Sequence, residues 1–349
     1  MKKIYTTLFL TGSLLAAQAQ FTTGDLVVLR DGTGVSALTS AGTAVFLDEY
    51  TTLGSLAYTV AIPSTGAGQL VNSGTAASEG QLSLSANNQY LVLAGYVAAA
   101  GTAGVASSAS ATISRGIATV NSAGTYSLAA TTSTAYSGNN IRGGTSDGAG
   151  NYWGAGPAAT GGTVYMGTGT PAQVVFSNSL AVQDFGGNLY FSTAKGTPGI
   201  YKFSGTPTTA ATPSLLLAGV ATPSDFAFNA GMTIAYVANT AGGIARYDYS
   251  GSSWSLNYTL DSGTGINGLA VDFSGSNPIV YATTEDGTKL IEITDTGASA
   301  AATTLATAAA NEAFRGLDFA PQPAPEPATL TLAGLGLTAL FGFRRSRKA

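Results

Sequence analysis

The most constraining feature of this chain is a recurring pair of strand-like segments. Each copy has an apolar stretch, a short turn of small or acidic residues, and a second stretch rich in aromatic residues. One position of the apolar stretch aligns at Leu84, Thr145, Val182, Phe228, Val271 and Phe319. The spacings are 61, 37, 46, 43 and 48 residues, and a four-stranded propeller blade takes roughly 40–45 residues. The pattern therefore predicts an all-β chain of repeated four-stranded units.

The two ends of this array are incomplete, and they complement each other. Residues 315–319 supply a first strand with no later strands behind it. The start of the body has three strand-like segments, with no segment before them that could be the first strand of a unit. They are residues 24–30, 44–50 and 58–63. Pairing the two ends would complete one blade and leave no unpaired ring edge. We therefore expect a β-propeller of six blades, and the long first spacing, around residues 98–112, leaves room for a seventh blade or for an insertion.

Two other all-β arrangements, a sandwich and a solenoid, remain open alternatives. A solenoid repeats with a shorter and stricter period than these spacings, and a sandwich does not explain the complementary ends. The composition, with 46 glycines among 349 residues and only 9% charged residues, can also indicate disorder. The regular apolar strands argue against disorder, so the propeller is the preferred prediction.

The start of the chain has the pattern of a secretion signal. Lys2 and Lys3 precede an apolar run over residues 4–17, and small residues follow at Ala17 and Ala19. The run is shorter than the roughly 20 residues that span a membrane, and its end matches a signal peptidase site. We therefore expect a signal peptide over residues 1–19, cut by signal peptidase, rather than a first transmembrane helix.

The end of the chain has three parts: a Pro-rich linker over residues 321–327, an apolar segment over 328–343, and a basic tail over 344–349. The apolar segment would span only about 24 Å as a helix, against about 30 Å of hydrocarbon core. Basic residues favour the cytoplasmic side. The prediction is a short transmembrane segment with a cytoplasmic tail, which places the propeller-like domain, residues 20–320, outside the cytoplasm.

This tail resembles the PEP-CTERM sorting signal of Gram-negative bacteria, over about the last 25 residues and with all three parts in order. The resemblance implies an exosortase, a membrane-embedded transpeptidase-like enzyme, as a partner. It would cut near the motif Pro325, Glu326 and Pro327 and pass the protein to the cell surface or to an extracellular matrix such as a biofilm. Membrane anchoring would then be transient. The resemblance implies nothing about the function of the body.

The body between the two ends is acidic, with 8 basic and 17 acidic residues and a net charge of about −9. This disfavours nucleic acid and anionic lipid as partners. The chain has no Cys and no His, so it lacks disulfides, the usual general base and the usual zinc ligand. We expect no cofactor, no metal site and no catalytic residue, with a structural cation at an acidic loop as a lesser alternative.

Three sequence matches to catalytic patterns have a simpler interpretation. Residues 144–148 fit G-x-S-x-G around Ser146, but that motif needs a strand-to-helix turn and a His. We expect a hairpin turn there instead. The adjacent carboxylates at residues 48–49 and 285–286 would point to opposite faces of a strand. None of the three predicts a preformed catalytic group.

Aromatic residues recur at one point of the repeat and are expected to pack between blades rather than to stack on sugars. Trp254 and Tyr258 lie on a different strand, where we expect greater exposure. The recurring residues are Tyr90, Tyr152, Trp153, Tyr190, Phe191, Tyr236 and Tyr281.

The prediction from sequence is a secreted, non-enzymatic structural or binding protein of the cell surface or matrix, with exopolysaccharide as one candidate ligand. The alternative is a propeller-fold carbohydrate-active enzyme, a lyase or hydrolase. That alternative predicts two carboxylates, or a Tyr with an Arg, converging on one open funnel. The cations to follow are Arg142, Arg246 and Arg315.

Overall fold

The computed structural model describes residues 21–325, and its regular structure is almost entirely β. A single 3-10 turn, Ala158–Thr160, interrupts the strands of this described part. The first half of the strand order is β1 (Leu26–Asp31), β2 (Gly42–Thr43), β3 (Val45–Tyr50), β4 (Leu56–Ala61), β5 (Asn72–Ser73), β6 (Leu82–Leu84), β7 (Tyr90–Tyr96), β8 (Arg115–Asn121), β9 (Tyr126–Thr132), β10 (Gly143–Ser146), β11 (Tyr152–Ala155), β12 (Thr163–Tyr165) and β13 (Ala172–Val175). The second half is β14 (Ser179–Phe185), β15 (Asn188–Thr193), β16 (Gly199–Lys202), β17 (Ser214–Ala218), β18 (Pro223–Phe228), β19 (Ile234–Asn239), β20 (Ile244–Tyr249), β21 (Trp254–Leu260), β22 (Ile266–Asp272), β23 (Ile279–Thr284), β24 (Lys289–Thr294), β25 (Thr303–Thr307) and β26 (Ala313–Phe319).

Six four-stranded antiparallel sheets form the blades of a closed ring. Five of them use four consecutive strands, starting at β6, β10, β14, β18 and β22. The first strand of each blade contacts the first strands of both neighbouring blades, so these strands line the axis of the ring. We call β6, β10, β14, β18, β22 and β26 the inner strands. The predicted all-β propeller is confirmed.

The sixth blade is shared between the two ends of the array, in the order β26-β1-β3-β4. Strand β26 pairs with β1 in antiparallel register, with Leu26 opposite Phe319 and Val28 opposite Leu317. The prediction that residues 315–319 lie against residues 24–30 is confirmed. Because the last strand completes the blade of the first, the ring has no open edge at this point.

The long spacing between the first two repeats holds an insertion and not a seventh blade. Residues 97–114 form a loop between β7 and β8. Val105 of this loop is fully buried against Val71 and Tyr96. The guanidinium of Arg115 holds the loop by donating to the carbonyl oxygens of Ile113 (2.5 Å) and Ser108 (2.7 Å). The structure therefore has six blades.

Glycine lets the inner strands approach each other closely. The amide of Gly316 donates to the carbonyl oxygen of Gly80 in the neighbouring blade, at 2.9 Å. A Cβ on Gly316 would lie 2.7 Å from that oxygen and still closer to the amide nitrogen of Leu82. A Cβ on Gly268 would in turn lie 2.8 Å from the Cα of Gly316. At these points the close packing of neighbouring blades requires glycine, which has no Cβ.

The aromatic residues pack between blades, as expected. Five of the seven recurring residues are at most 2% exposed, and Tyr90 and Tyr152 are half-buried. Tyr190 lies 5.2 Å from Phe228 of the next blade, ring centre to ring centre. Trp254 and Tyr258 are half-buried on β21, so they are more exposed than most of the recurring set. The buried five are Trp153, Tyr190, Phe191, Tyr236 and Tyr281.

Within residues 21–325, no helix is long and apolar enough to cross a membrane. The predicted signal peptide, with Ala17 and Ala19, lies outside the described residues. So do Glu326, Pro327 and the apolar segment 328–343.

Candidate binding cavity

A cavity of about 530 Å³ opens where the inner strands end. Five of the six inner strands, all but β10, contribute to its wall, so it lies across the axis of the ring. We call it the mouth cavity. Its wall combines carboxylates with apolar side chains, and its main residues are Asp184, Phe185, Phe228, Val271, Asp318 and Phe319.

Asp184 brings an unpaired carboxylate to this wall. Its side chain is only 7% exposed, and its Oδ1 atom has no hydrogen-bond partner among the described residues. Its backbone amide donates to the hydroxyl of Thr145 on β10, at 3.2 Å, which fixes its position. Burial raises the pKa of the Asp184 carboxyl to about 6, and the nearby charge of Asp147 adds to this rise. Asp184 is ionised at neutral pH and lacks a donor.

We predict that Asp184→Asn raises the free energy of unfolding at neutral pH by about 1 kcal/mol, because the amide removes a buried charge that nothing pairs. Urea denaturation of the full chain in a mild detergent measures it. The matched control is Asp318→Asn, which also removes a buried charge but turns an NH2 group toward one of two backbone amide donors, so we expect the free energy of unfolding to fall by about 1–2 kcal/mol. Equal losses in both variants would contradict the unpaired state of Asp184.

Asp318 uses its carboxylate to join two blades. Oδ2 accepts a hydrogen bond from the amide of Leu84 on β6, at 2.6 Å, and Oδ1 accepts one from the amide of Phe319, at 2.7 Å. Burial raises the pKa of the Asp318 carboxyl to about 7. Its charge faces the mouth cavity, but both oxygens already have donors.

Asp225 lies beneath the cavity wall and is 1% exposed. Its Oδ1 accepts hydrogen bonds from Gln183 Nε2 and the amide of Phe226, both at 2.9 Å. Its Oδ2 accepts one from the amide of Leu269, at 3.0 Å. Burial raises the pKa of the Asp225 carboxyl to about 8, and the charge of Asp318 contributes. The axis therefore carries three carboxylates on three inner strands.

The raised pKa values predict a pH-dependent stability. Burial raises the pKa of Asp225 to about 8 and that of Glu79 to about 7, whereas unfolded carboxyls titrate near pH 4. Above about pH 4 the folded state thus binds protons that the unfolded chain has released, and the free energy of unfolding falls as the pH rises to about 8. Circular dichroism should give a Tm several degrees higher at about pH 5 than at about pH 8.

The control for this pH dependence is Asp225→Asn, which removes one titrating group. The slope of Tm against pH should become smaller in this variant, even if the Tm itself is lower because a donor replaces an acceptor. A wild-type Tm that increases with pH over the same range would contradict the assignment.

Two of the three arginines singled out from the sequence are held in ion pairs. Arg315 Nε lies 2.9 Å from Asp31 in the shared blade. Arg246 lies 2.8 Å from Asp295, and Tyr258 donates to the same carboxylate at 2.7 Å. This Tyr–Arg pair lines a second cavity of about 360 Å³ between its blade and the next, and Phe273 contributes to the walls of both cavities. Its polar groups are bonded to one another, so the pair has a structural role.

The third arginine, Arg142, donates to Asn178 Oδ1 (3.1 Å) and to the carbonyl oxygen of Ser179 (3.0 Å). It joins neighbouring inner strands at the end opposite the mouth cavity, since it precedes β10. None of the three arginines lines the mouth cavity. Of the two arrangements predicted for an enzyme, the structure brings two carboxylates together on one cavity.

The G-x-S-x-G match is a hairpin turn, as expected. Ser146 ends β10 and is buried, and its hydroxyl oxygen accepts a hydrogen bond from the amide of Gly148, at 3.0 Å. Asp147 caps the same turn by accepting from the amides of Ala149 (2.7 Å) and Asn151 (3.1 Å).

The adjacent carboxylates Asp48 and Glu49 have separate partners. Asp48 forms an ion pair with Arg30, at 2.5 Å, whereas Glu49 accepts a hydrogen bond from the amide of Thr22. They do not act as a pair. In residues 21–325, no cluster of three or more acidic side chains is arranged to hold a metal ion.

The sequence analysis did not single out Asp184, Asp225 or Asp318. A signal for two of them exists, because an Asp-Phe pair ends the inner strand at residues 184–185 and 318–319, and recurs at residues 272–273. A polar residue repeated at the end of an inner strand marks the same mouth of the ring each time.

The chain leaves the propeller beside the mouth cavity. After β26, the amide of Ala320 donates to the carbonyl oxygen of Asp25 (2.8 Å). The amide of Gln322 donates to the carbonyl oxygen of Asn88 (2.7 Å). Asn88 also lines the mouth cavity. The segment that follows Gln322 therefore starts on the face where the cavity opens.

That segment matches a known family. Residues 323–348 match the PEP-CTERM protein-sorting motif, and the match includes Pro325, Glu326 and Pro327. No curated protein matches the chain.

Solved structures similar in fold include a putative 6-phosphogluconolactonase from Bacteroides fragilis, which is 13% identical with a TM-score of 0.46 and coverage of 82% of this chain and 83% of that one. TolB from Acinetobacter baumannii is 8% identical, with a TM-score of 0.47, and the match covers 86% of this chain and 67% of TolB. A GH74 enzyme from Niastella koreensis is 14% identical, with a TM-score of 0.44, and the match covers 80% of this chain and 37% of the enzyme. Likeness at this level assigns no activity and no ligand.

Fold and tail together define a six-bladed β-propeller that ends in a protein-sorting motif. The motif implies an exported protein, anchored at the membrane for processing by an exosortase.

Proposed function

We propose that this protein is a non-enzymatic binding and structural module, displayed at the cell surface or in the extracellular matrix and associated with exopolysaccharide. The observation that carries the proposal is the sorting motif directly after a closed propeller whose cavity opens beside it. A ligand in the mouth cavity would lie on the side of the propeller from which the sorting segment leaves.

The bonding of the cavity carboxylates supports binding rather than catalysis. An acid–base mechanism on a sugar needs two carboxyl groups that act on opposite sides of one bond. Asp318 and Asp225 accept backbone hydrogen bonds that join neighbouring blades. Asp184 is left as the one carboxylate of the three with a buried oxygen that lacks a partner. One such group suits recognition.

The test follows the protein in the cells that produce it. We expect protein from the surface or matrix fraction to have a C-terminus upstream of Ala328 by mass spectrometry, and to co-sediment with exopolysaccharide isolated from the same cells. An intact tail in the inner-membrane fraction would contradict display, and a processed protein that stays in the supernatant would contradict association with the polysaccharide.

A second candidate function, a carbohydrate-active lyase or hydrolase, is favoured by one observation. Asp184 and Asp318 line the same cavity, and their pKa values of about 6 and about 7 suit proton transfer near neutral pH. New reducing ends or unsaturated products from a purified polysaccharide, lost in Asp184→Asn and in Asp318→Asn, would establish it. If the wild type releases neither product from any polysaccharide of the producing cells, this alternative is excluded.

A further inference from the structure

The mouth cavity carries negative charge without a matching positive charge. Asp184 and Asp318 line it, and Asp225 lies directly beneath. Among the described residues of its wall there is no Lys or Arg. At neutral pH this charge comes mainly from Asp184 and in part from Asp318, because burial raises the pKa of Asp225 to about 8, and a cationic ligand would offset it. The cavity is therefore suited to a positively charged group.

Asp184 gives that group a defined position. Its side chain is more than nine-tenths buried, and its Oδ1 has no donor among the described residues. Oδ1 is closed off from the cavity, but the second oxygen, Oδ2, is not fully buried and accepts no hydrogen bond from the described residues, so a donor from a ligand would satisfy it. An ammonium group provides both a positive charge and three donors. Its best position is next to Asp184.

The apolar part of the wall selects the body of the ligand. Phe185, Phe228 and Phe319 all contribute to the cavity, next to the carboxylates. Aromatic rings bind the apolar faces of ring-shaped ligands and attract cations. The volume of about 530 Å³ lies in the range of sites for small organic ligands, roughly 300–1,000 Å³. The wall suits a compact ring that carries a cationic substituent.

A bare divalent cation fits this wall less well. Calcium takes six to eight oxygen ligands, and the oxygens of Asp318 and Asp225 already accept backbone hydrogen bonds. The described residues contain no metal-binding group of acidic side chains. An organic cation needs only one free carboxylate.

We propose that the mouth cavity binds an amino sugar, with its ammonium group donating to Asp184 and its ring against Phe185 and Phe228. This inference rests on the proposed association with exopolysaccharide and names the class of sugar that is recognised. Among common polysaccharide units, an amino sugar with a free amine combines a ring of this size with a positive charge.

Calorimetry on the full chain, in a mild detergent at neutral pH, can test this with three tetrasaccharides of the same linkage. One contains glucosamine with free amines, one contains N-acetylglucosamine, and one contains glucose. We expect the free-amine tetramer to bind at least about tenfold more tightly than the other two, as one charge-assisted hydrogen bond provides. In Asp184→Asn, this preference should disappear.

The control variant is Asp248→Asn, which changes the net charge by the same amount on an outer strand. It should keep the full affinity, which separates recognition in the cavity from general attraction to an acidic protein. Equal binding in wild type and Asp184→Asn overturns the inference. Tighter binding of the glucose tetramer overturns the inference but leaves the proposed polysaccharide function standing. If none of the three binds, the inference is overturned, and co-sedimentation still decides the proposed function separately.

Discussion

Arg315→Met is expected to lower the free energy of unfolding by about 3–5 kcal/mol, because it leaves a buried carboxylate without its cation. Arg315 Nε lies 2.9 Å from Asp31 Oδ2, and the two side chains are 5% and 0% exposed. The same guanidinium donates to the carbonyl oxygen of Gly74, at 3.0 Å. After the substitution, Asp31 keeps only the hydrogen bond from Asn72, at 2.9 Å.

The loss should depend on pH in a defined direction. Burial raises the pKa of Asp31 even with Arg315 beside it, so without the arginine the carboxyl will take up a proton more readily. Protonation removes the buried charge, and Arg315→Met should therefore be less destabilising at about pH 5 than at about pH 8. Urea denaturation at the two pH values measures this difference.

Two further variants serve as controls for the stability change in Arg315→Met. The double variant Arg315→Met with Asp31→Asn should recover much of the stability, because removing both members of a buried pair is far less costly than removing one. Asp248→Asn should cost less than about 1 kcal/mol, because the Asp248 side chain is 36% exposed in its pair with Arg246. If Arg315→Met costs no more than Asp248→Asn, the buried pair does not hold the shared blade.

The ring could be predicted from the sequence because its signals are local. Alternating apolar residues mark strands, and small residues mark turns. The split repeat follows from comparing the two ends. Residues 315–319 supply a first strand with no later strands after it, and residues 24–30 begin a unit that has no first strand. Arg315 was identified as a residue to follow, but its partner is Asp31 in its own blade. Its position in the repeat therefore reflects closure of the ring.

The mouth cavity could not be predicted because it depends on contacts between distant segments. Asp318 binds the amide of Leu84, 234 positions away in sequence, and these bonds distinguish it from Asp184. Both end an inner strand next to a Phe, so the sequence presents them alike. Only the packing of neighbouring blades gives one carboxylate two donors and leaves the other with a buried oxygen unpaired.

The two ends of the inner strands therefore differ in what they contribute. Toward their start, glycines bring neighbouring inner strands into close contact, and the Arg315–Asp31 pair joins β26 to β1 within the shared blade. At their other end, the strands carry phenylalanines and carboxylates around a cavity. The glycine contacts at the first end stabilise the ring, and the second end is where we propose that a ligand binds. Substitutions at the glycines should thus lower stability without altering the chemistry of the cavity.

Gly316→Ala is the sharpest test of this division. We expect it to lower the free energy of unfolding by about 3 kcal/mol, at the upper end of what overpacking costs. The added Cβ would overlap the amide nitrogen of Leu82 and lie 2.7 Å from the carbonyl oxygen of Gly80. Both are backbone atoms of the next blade, which cannot move away as a flexible side chain would.

The matched control is Gly263→Ala, where a Cβ would meet nothing within 4 Å. We expect a change of less than about 0.5 kcal/mol there. Gly268→Ala should also be strongly destabilising, because its Cβ would lie 2.8 Å from the Cα of Gly316, at the neighbouring contact between β22 and β26. Urea denaturation compares the three variants. If Gly316→Ala is as stable as Gly263→Ala, the inner strands have room between them, and the close ring that positions the mouth cavity is wrong. If Gly316→Ala fails to fold, Gly268→Ala and the change in its urea midpoint still measure how closely the inner strands pack, at the neighbouring contact between β22 and β26.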